Sequence, residues 1–290
     1  MRGAQKARGD ALRMVRCLAL AAAIAGSYGG VARAAEEDAW PIIAQQLFAD
    51  RALQDGADVL ALDAPIRALD AAVVPITIRT LLPPGDPRAV RKVTLVIDAN
   101  PSPVAASFTL GEHGGVDLIA TRVRVDDYTN IHAVAELSDG KLYVVSRYVK
   151  AAGGCSAPAL KQVAGGGIPL GTMRFRELPA SAETAGADPA KEGARPRERE
   201  AQIMIRHPNY SGMQMDQVSR LYIPADFLQS LQLWQGKELL VSVEGGNSIS
   251  ENPEFRFRFT PLGGDEPFRA EAVDSTGERF QGEWKGDTAS

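Results

Sequence analysis

From Val73 to Trp284 the apolar residues recur with a period of two, in short runs broken by Gly, Pro, Asn and Asp. Such a run puts alternate side chains on opposite faces of an extended strand; it gives a helix no continuous apolar face. The first half has runs over 73–79, 92–97, 104–110, 118–125, 130–137 and 141–149. The second half has runs over 202–206, 238–243, 255–260, 268–273 and 279–284. Many short strands with turn residues between them predict β-sandwiches. Ser138-Asp139-Gly140 is a hairpin signal, because Asp-Gly tolerates the positive φ of a tight turn. Pro75 puts its strand at an edge or places the residue at a strand start. Phe255, Phe257 and Phe259 alternate with Arg256 and Arg258, so that strand carries one apolar and one basic face.

Two stretches depart from this pattern. Trp40, Ile43, Leu47 and Phe48 share a face at helical spacing, and Pro41 suits a first turn. A short amphipathic helix that packs on a sheet is expected there. Residues 156–199 read as a flexible linker, with Gly165-Gly166-Gly167, a Pro/Ala-rich stretch and a charged run. Within it, Thr172–Arg176 reads as one isolated strand.

The N-terminus has the order of an export signal. Arg2, Lys6, Arg8, Arg13 and Arg16 precede the short apolar run Cys17–Ala25, and Ala32-Arg33-Ala34 offers a cleavage site. Cleavage after Ala34 would leave 26 basic against 35 acidic residues, a net charge of −9. An acidic exported chain is a poor partner for nucleic acid or an anionic membrane, and none is expected.

That cleavage also removes Cys17 and leaves Cys155 alone. A single cysteine in an oxidising compartment pairs between chains or works as a free thiol. Cys155 follows Gly153 and Gly154, which free the backbone and remove bulk beside the sulfur. The sequence therefore points to a nucleophilic thiol on a mobile arm, against an inert buried cysteine as the plainer alternative. No metal site is expected, since His113, His132 and His207 lie far apart without ligand spacing. Met204, Met213 and Met215 read as packing residues rather than Cu(I) ligands. No Ser-His-Asp order, paired carboxylates, phosphate loop or second cysteine accompanies Cys155, so no catalytic residue is expected.

Specific motifs add a resemblance. Val74-Pro-Ile-Thr-Ile78, Asn100-Pro-Ser-Pro103, Thr121-Arg122-Val-Arg124, Ala133-Val-Ala-Glu136, Asp139-Gly-Lys-Leu142 and Gly153-Gly154-Cys155 resemble SoxY, the sulfur-carrying subunit of the periplasmic thiosulfate-oxidising system. Ile205-Arg206-His207-Pro208, Gly212, Asp216, Ile223-Pro-Ala225 and Ile249-Ser-Glu-Asn252-Pro253 resemble SoxZ, its obligate partner. The order matches a fused SoxYZ-like carrier of the type associated with quinoprotein dehydrogenases. Two departures stand out. Ser156-Ala157-Pro158 follows the cysteine where the family's arm ends the chain in two glycines, and the motif after His207-Pro208 runs Asn209-Tyr210-Ser211-Gly212.

With the resemblance, the expected fold is all-β: two immunoglobulin-like β-sandwich domains joined by a flexible linker, with a short N-terminal helix. The expected divisions are a signal peptide at 1–34, a SoxY-like sandwich at 35–155, the linker at 156–199 and a SoxZ-like sandwich at 200–290. The resemblance implies a periplasmic, non-catalytic carrier that holds a covalent sulfur adduct on Cys155 and needs no other cofactor. Implied partners are periplasmic oxidoreductases or hydrolases of a Sox-like pathway, and a c-type cytochrome or quinoprotein dehydrogenase. The two domains would pack within one chain or by swapping between two. The rival reading is a non-covalent adaptor or chaperone for a PQQ-dependent quinoprotein dehydrogenase system, with Cys155 incidental.

Overall fold

The computed structural model describes residues 39–83, 85–158, 167–179, 199–261 and 266–286. The expected signal peptide and most of the expected linker lie outside the described residues. Among the described residues one helix, α1 (Trp40–Phe48), precedes the strands. The first half holds β1 (Leu53–Asp55), β2 (Leu60–Asp63), β3 (Val74–Thr80), β4 (Val90–Ile97), β5 (Val104–Leu110), β6 (Leu118–Val123), β7 (Thr129–Leu137) and β8 (Leu142–Val149). The second half holds β9 (Met173–Pro179), β10 (Arg199–Ile205), β11 (Leu228–Gln235), β12 (Glu238–Gly245), β13 (Glu254–Phe259), β14 (Phe268–Asp274) and β15 (Arg279–Trp284).

The described residues are all-β with one short helix, as expected from the strand alternation and the helical spacing at 40–48. Its strands form two sheets that run through both halves. One has nine strands in the order β1-β8-β7-β4-β5-β12-β11-β14-β15; the other has six, in the order β2-β3-β6-β13-β10-β9. Each sheet crosses between the halves at one antiparallel junction. Phe108 on β5 lies opposite Val243 on β12, and Ile119 on β6 lies opposite Phe257 on β13. The two sandwiches are thus joined edge to edge within one chain, and one apolar cluster extends through both.

The inward positions explain that continuity. On β10, Ala201, Ile203 and Ile205 are fully buried, and on β13 Phe255, Phe257 and Phe259 face the same layer. Phe255 meets Phe108 edge to face at 6.2 Å, across the boundary between the halves. Arg258, on the opposite face of β13, is also buried, because Asp117 from the first half grips it at 2.7 and 2.8 Å. Phe255→Ala is expected to cost about 3–5 kcal/mol, as for other large-to-small core changes. Denaturant unfolding should show a lower midpoint and one transition by every probe. Two separated transitions would mean that the halves fold independently.

The helix docks on the outer face of the nine-stranded sheet. The Trp40 ring stacks on His132 of β7 at 3.7 Å, and Ile43 is buried. Leu47, expected on the same face, is 40% exposed. Residues 221–223, which look strand-like, form only the isolated bridge of Tyr222 with Met215. Met173–Pro179 is not an isolated strand: it pairs with β10 along its whole length and forms the edge of the six-stranded sheet.

Candidate functional site

After β8 the chain turns back on itself at Gly153–Ser156, and the Ser156 hydroxyl donates to the Gly153 carbonyl at 3.3 Å. Gly153 has φ of +77°, a conformation that glycine adopts without strain. Gly154 has a different task. A Cβ on it would lie 2.1 Å from the Ala71 carbonyl oxygen and 2.6 Å from that of Val125. The arm is therefore seated: Gly153 N donates to Asp126 O at 2.7 Å and Gly154 N to Val125 O at 3.0 Å. The two glycines read in the sequence as a source of freedom are, in this conformation, what lets the backbone lie flat against its neighbours.

Cys155 is buried, 3% exposed, at the seam between the halves. Its backbone N–H donates to an Asp126 carboxylate oxygen at 3.3 Å, and its carbonyl accepts the Ser211 hydroxyl from the second half. Burial pushes the thiol from its ordinary 9.0 up to about 12; the negative Asp126 adds to that shift and Arg124 opposes it. As seated, Cys155 is a protonated thiol and a weak nucleophile.

Arg124, just past β6, lies in the same layer and is 1% exposed. It donates to the Gly154 carbonyl at 3.3 Å and to the Asn209 carbonyl at 3.4 Å, so it touches the arm and the second half together. Burial holds its guanidinium below the usual range, and the charges of Glu251 and Asp70 pull the other way.

A frame of short polar side chains positions these groups. Asn100 donates to Arg124 O at 2.8 Å and to Ser248 Oγ at 2.9 Å, and accepts from Asp126 N at 2.9 Å. Asn209, in the left-handed region at φ 48°, accepts from Leu228 N at 2.8 Å and donates to Ile249 O at 2.6 Å. Ser250 Oγ reaches back to Ala72 O at 2.7 Å. The sequence singled out Cys155, Gly153 and Gly154, and the structure brings them together. It did not single out Asp126 or Gln214, whose roles come from loops far apart in the chain, and it named Ser211 only within the altered motif after His207-Pro208. Arg124 and Asn100 entered only through resemblance motifs.

A second cluster lies nearby. His207 Nε2 is 3.5 Å from Asp226 Oδ1 and 3.6 Å from Asp274 Oδ2, and none of these three buried atoms has a hydrogen-bond partner. The three residues could hold a metal ion by proximity alone. The donor chemistry argues otherwise. Asn209 N–H donates to His207 Nδ1 at 3.1 Å, so Nδ1 is an acceptor and the ring proton belongs on Nε2, between the carboxylates. Asp274 also holds the turn after β14, accepting from Thr276 Oγ1, Thr276 N and Glu278 N at 2.7–2.9 Å. Zinc added to the purified chain is expected to leave its thermal midpoint unchanged. A zinc-dependent rise that Asp226→Asn removes would show that the ring turns over its proton to bind metal.

Comparison with known proteins follows the same division of the chain. The profile of the family described as sulfur oxidation protein SoxY matches residues 44–155, and that of sulphur oxidation protein SoxZ matches residues 189–285. A search of curated proteins returned no match. Solved structures similar to part of the chain include the sulfur carrier protein SoxY from Chlorobium limicola f thiosulfatophilum. It is 27% identical with a TM-score of 0.30, over 38% of this chain and 93% of that one. Another is the E23A superoxide reductase (neelaredoxin) from Ignicoccus hospitalis, 9% identical with a TM-score of 0.30, over 33% of this chain and 82% of that one.

Proposed function

The chain carries a SoxY domain followed by a SoxZ domain, and from that premise we propose that it is a covalent carrier which presents a sulfur-bound group on Cys155 to partner enzymes. The first half contributes the cysteine and its arm. The second half contributes Ser211 and the loop that closes over them. One observation carries the reading: the one cysteine of the described residues sits on a glycine turn gripped by both families' domains at once.

The seated thiol is the sheltered state of the carrier. Reaction with a partner requires the arm to lift, which restores an ordinary thiol and a usable thiolate fraction. The arm is held at both ends, because the chain runs on past Ser156-Ala157-Pro158. Loading and unloading therefore take place close to the seam, by enzymes that dock over it. Export to the periplasm through the 1–34 signal, and partners of the oxidoreductase, hydrolase or quinoprotein dehydrogenase classes, belong to this reading. The carrier performs no chemistry of its own; the partners do.

The adaptor reading draws on the same burial, since an incidental cysteine is also a buried one. Intact mass of the protein taken from its native cells without reductant separates the two. A mass increment that disappears on reduction supports the carrier and weighs its cargo. An unmodified thiol under every growth condition supports the adaptor.

A further inference from the structure

The outer face of the six-stranded sheet carries its charge unevenly. On β13, Arg258 is locked to Asp117 at 2.7 and 2.8 Å, and Arg256 lies 3.5 Å from Glu200. On β6, Arg122 pairs with Glu254 at 2.8 Å. The strand whose sequence reads as basic is thus neutralised by its neighbours. Towards β9 the balance changes. Arg174 and Arg176 point outward there, because Met173 and Phe175 pack against the core. Both arginines are exposed, and neither has an ion-pair or hydrogen-bond partner among the described residues. Arg206, just past β10, has no carboxylate partner among them either; its Nη1 donates to the amide oxygen of Asn252 at 3.0 Å.

These three arginines line one cleft. Its larger part, about 290 Å³, is bounded by Thr172, Arg174, Met204, Arg206 and Asn252. It runs on past Arg174 and Met204 to Arg176 and Gln202. The Met204 side chain gives it an uncharged lining, and guanidinium groups stand along its length. Strand register sets their spacing. Arg174 lies opposite Met204, so Arg206 stands diagonally from it, while Arg176 is two residues along the same strand. At strand spacing Arg174 and Arg176 are about 7 Å apart on one face. An extended peptide presents alternate side chains on one face at that same spacing.

We propose that this cleft docks an extended acidic segment of a partner protein, with carboxylates at alternate positions meeting Arg174 and Arg176 and a further one meeting Arg206. Charge complementarity carries the assignment. Each guanidinium offers a planar fork of N–H donors that matches a carboxylate. The chain as a whole has a net charge of −4, so an acidic partner is repelled by most of its surface and steered to the place where arginines lack counter-charges. Charged side chains on an edge strand also deter stray pairing, and β9 is the last strand of its sheet. That plainer role covers Arg174 and Arg176. It leaves out Arg206, which lies beyond β10 and is braced by Asn252. The docking site stands whether the chain is a carrier or an adaptor, since either must hold a partner, and the intact-mass experiment above leaves it untouched.

The test follows the fluorescence anisotropy of a short labelled peptide of alternating glutamate and threonine as the full chain is added at low salt. The anisotropy is expected to rise, and to stay flat with a peptide that has glutamine in place of glutamate; that comparison needs no variant to fold. Arg174→Ser combined with Arg176→Ser should weaken binding about fivefold or more. Both positions are exposed, so the melting temperature should not move. Lys92→Ser combined with Lys141→Ser removes the same charge from the first half and should leave binding unchanged. No rise with the native chain overturns the proposal. Equal weakening by the two pairs also overturns it, because the attraction would then belong to total charge rather than to the cleft. So does displacement by inorganic phosphate at the same concentration of charge, which would make the cleft a site for small anions and not for a peptide.

Discussion

Cys155→Ser is expected to abolish carrier function completely while leaving the fold intact. The side chain is 3% exposed, and serine is close to it in size. The neighbouring Asp126 carboxylate gives the new hydroxyl an acceptor, so the change in stability should stay within about 1 kcal/mol. The loss is total because no second thiol among the described residues can substitute, and an alcohol at this position is a far poorer nucleophile than a thiolate. Growth on the pathway's substrate and intact mass of the recovered protein are the two readouts. A serine variant that supports full growth would end the carrier reading and leave the adaptor.

Gly154→Ala should have the opposite effect on the thiol: it should expose it. The new Cβ would lie 2.1 and 2.6 Å from two backbone oxygens, and backbone cannot rotate away as a side chain can. The arm must lift. A lifted Cys155 regains its ordinary 9.0 from about 12, which at neutral pH raises the thiolate fraction by up to about a thousandfold. Iodoacetamide should therefore label the variant faster by up to that factor at pH 7. The pH profile gives an independent check. A raised value means that the seated state holds its proton more tightly, so seating is fully favoured below pH 9.0 and weakens as pH rises towards 12. The native chain's labelling rate should keep climbing past pH 9, and the variant's should level off near it. Equal rates and equal profiles would show that the seat described here is not the resting state in solution. Gly153→Ala is a useful contrast: its Cβ would meet nothing closer than Ser156 Oγ at 4.0 Å, so only the positive φ resists it.

The strands were legible because their alternation is local. Where a bulge resets the phase, the signal fails. On β11 the buried residues are Leu228, Leu231, Leu233 and Gln235, and a register shift between Leu228 and Ser230 breaks the period of two at its start. β1 and β2 are too short to show a period at all. Cys155 was legible by counting, and the glycines by their place beside it. Its burial was not, because the seat is built from Ala71, Val125, Asp126 and Ser211, each remote in sequence. Arg124 was hidden for a related reason. A lone arginine near the end of a strand reads as solvent-facing, and only the pairing of Val123 with Ile249, together with the loop after His207, closes over it.

The two strand junctions bear on why such a protein is made as a single polypeptide. Cut between the halves, each part would present a bare strand on both of its sheets: β5 and β6 on one side, β12 and β13 on the other. Their unpaired N–H and C=O groups flank apolar rows such as Phe108 and Phe257, the pattern that recruits stray chains and seeds aggregation. A tether supplies the complementary edge at a high effective concentration as soon as the second half is synthesised. It also sets the ratio of the halves at one to one, so neither is left with its edges open.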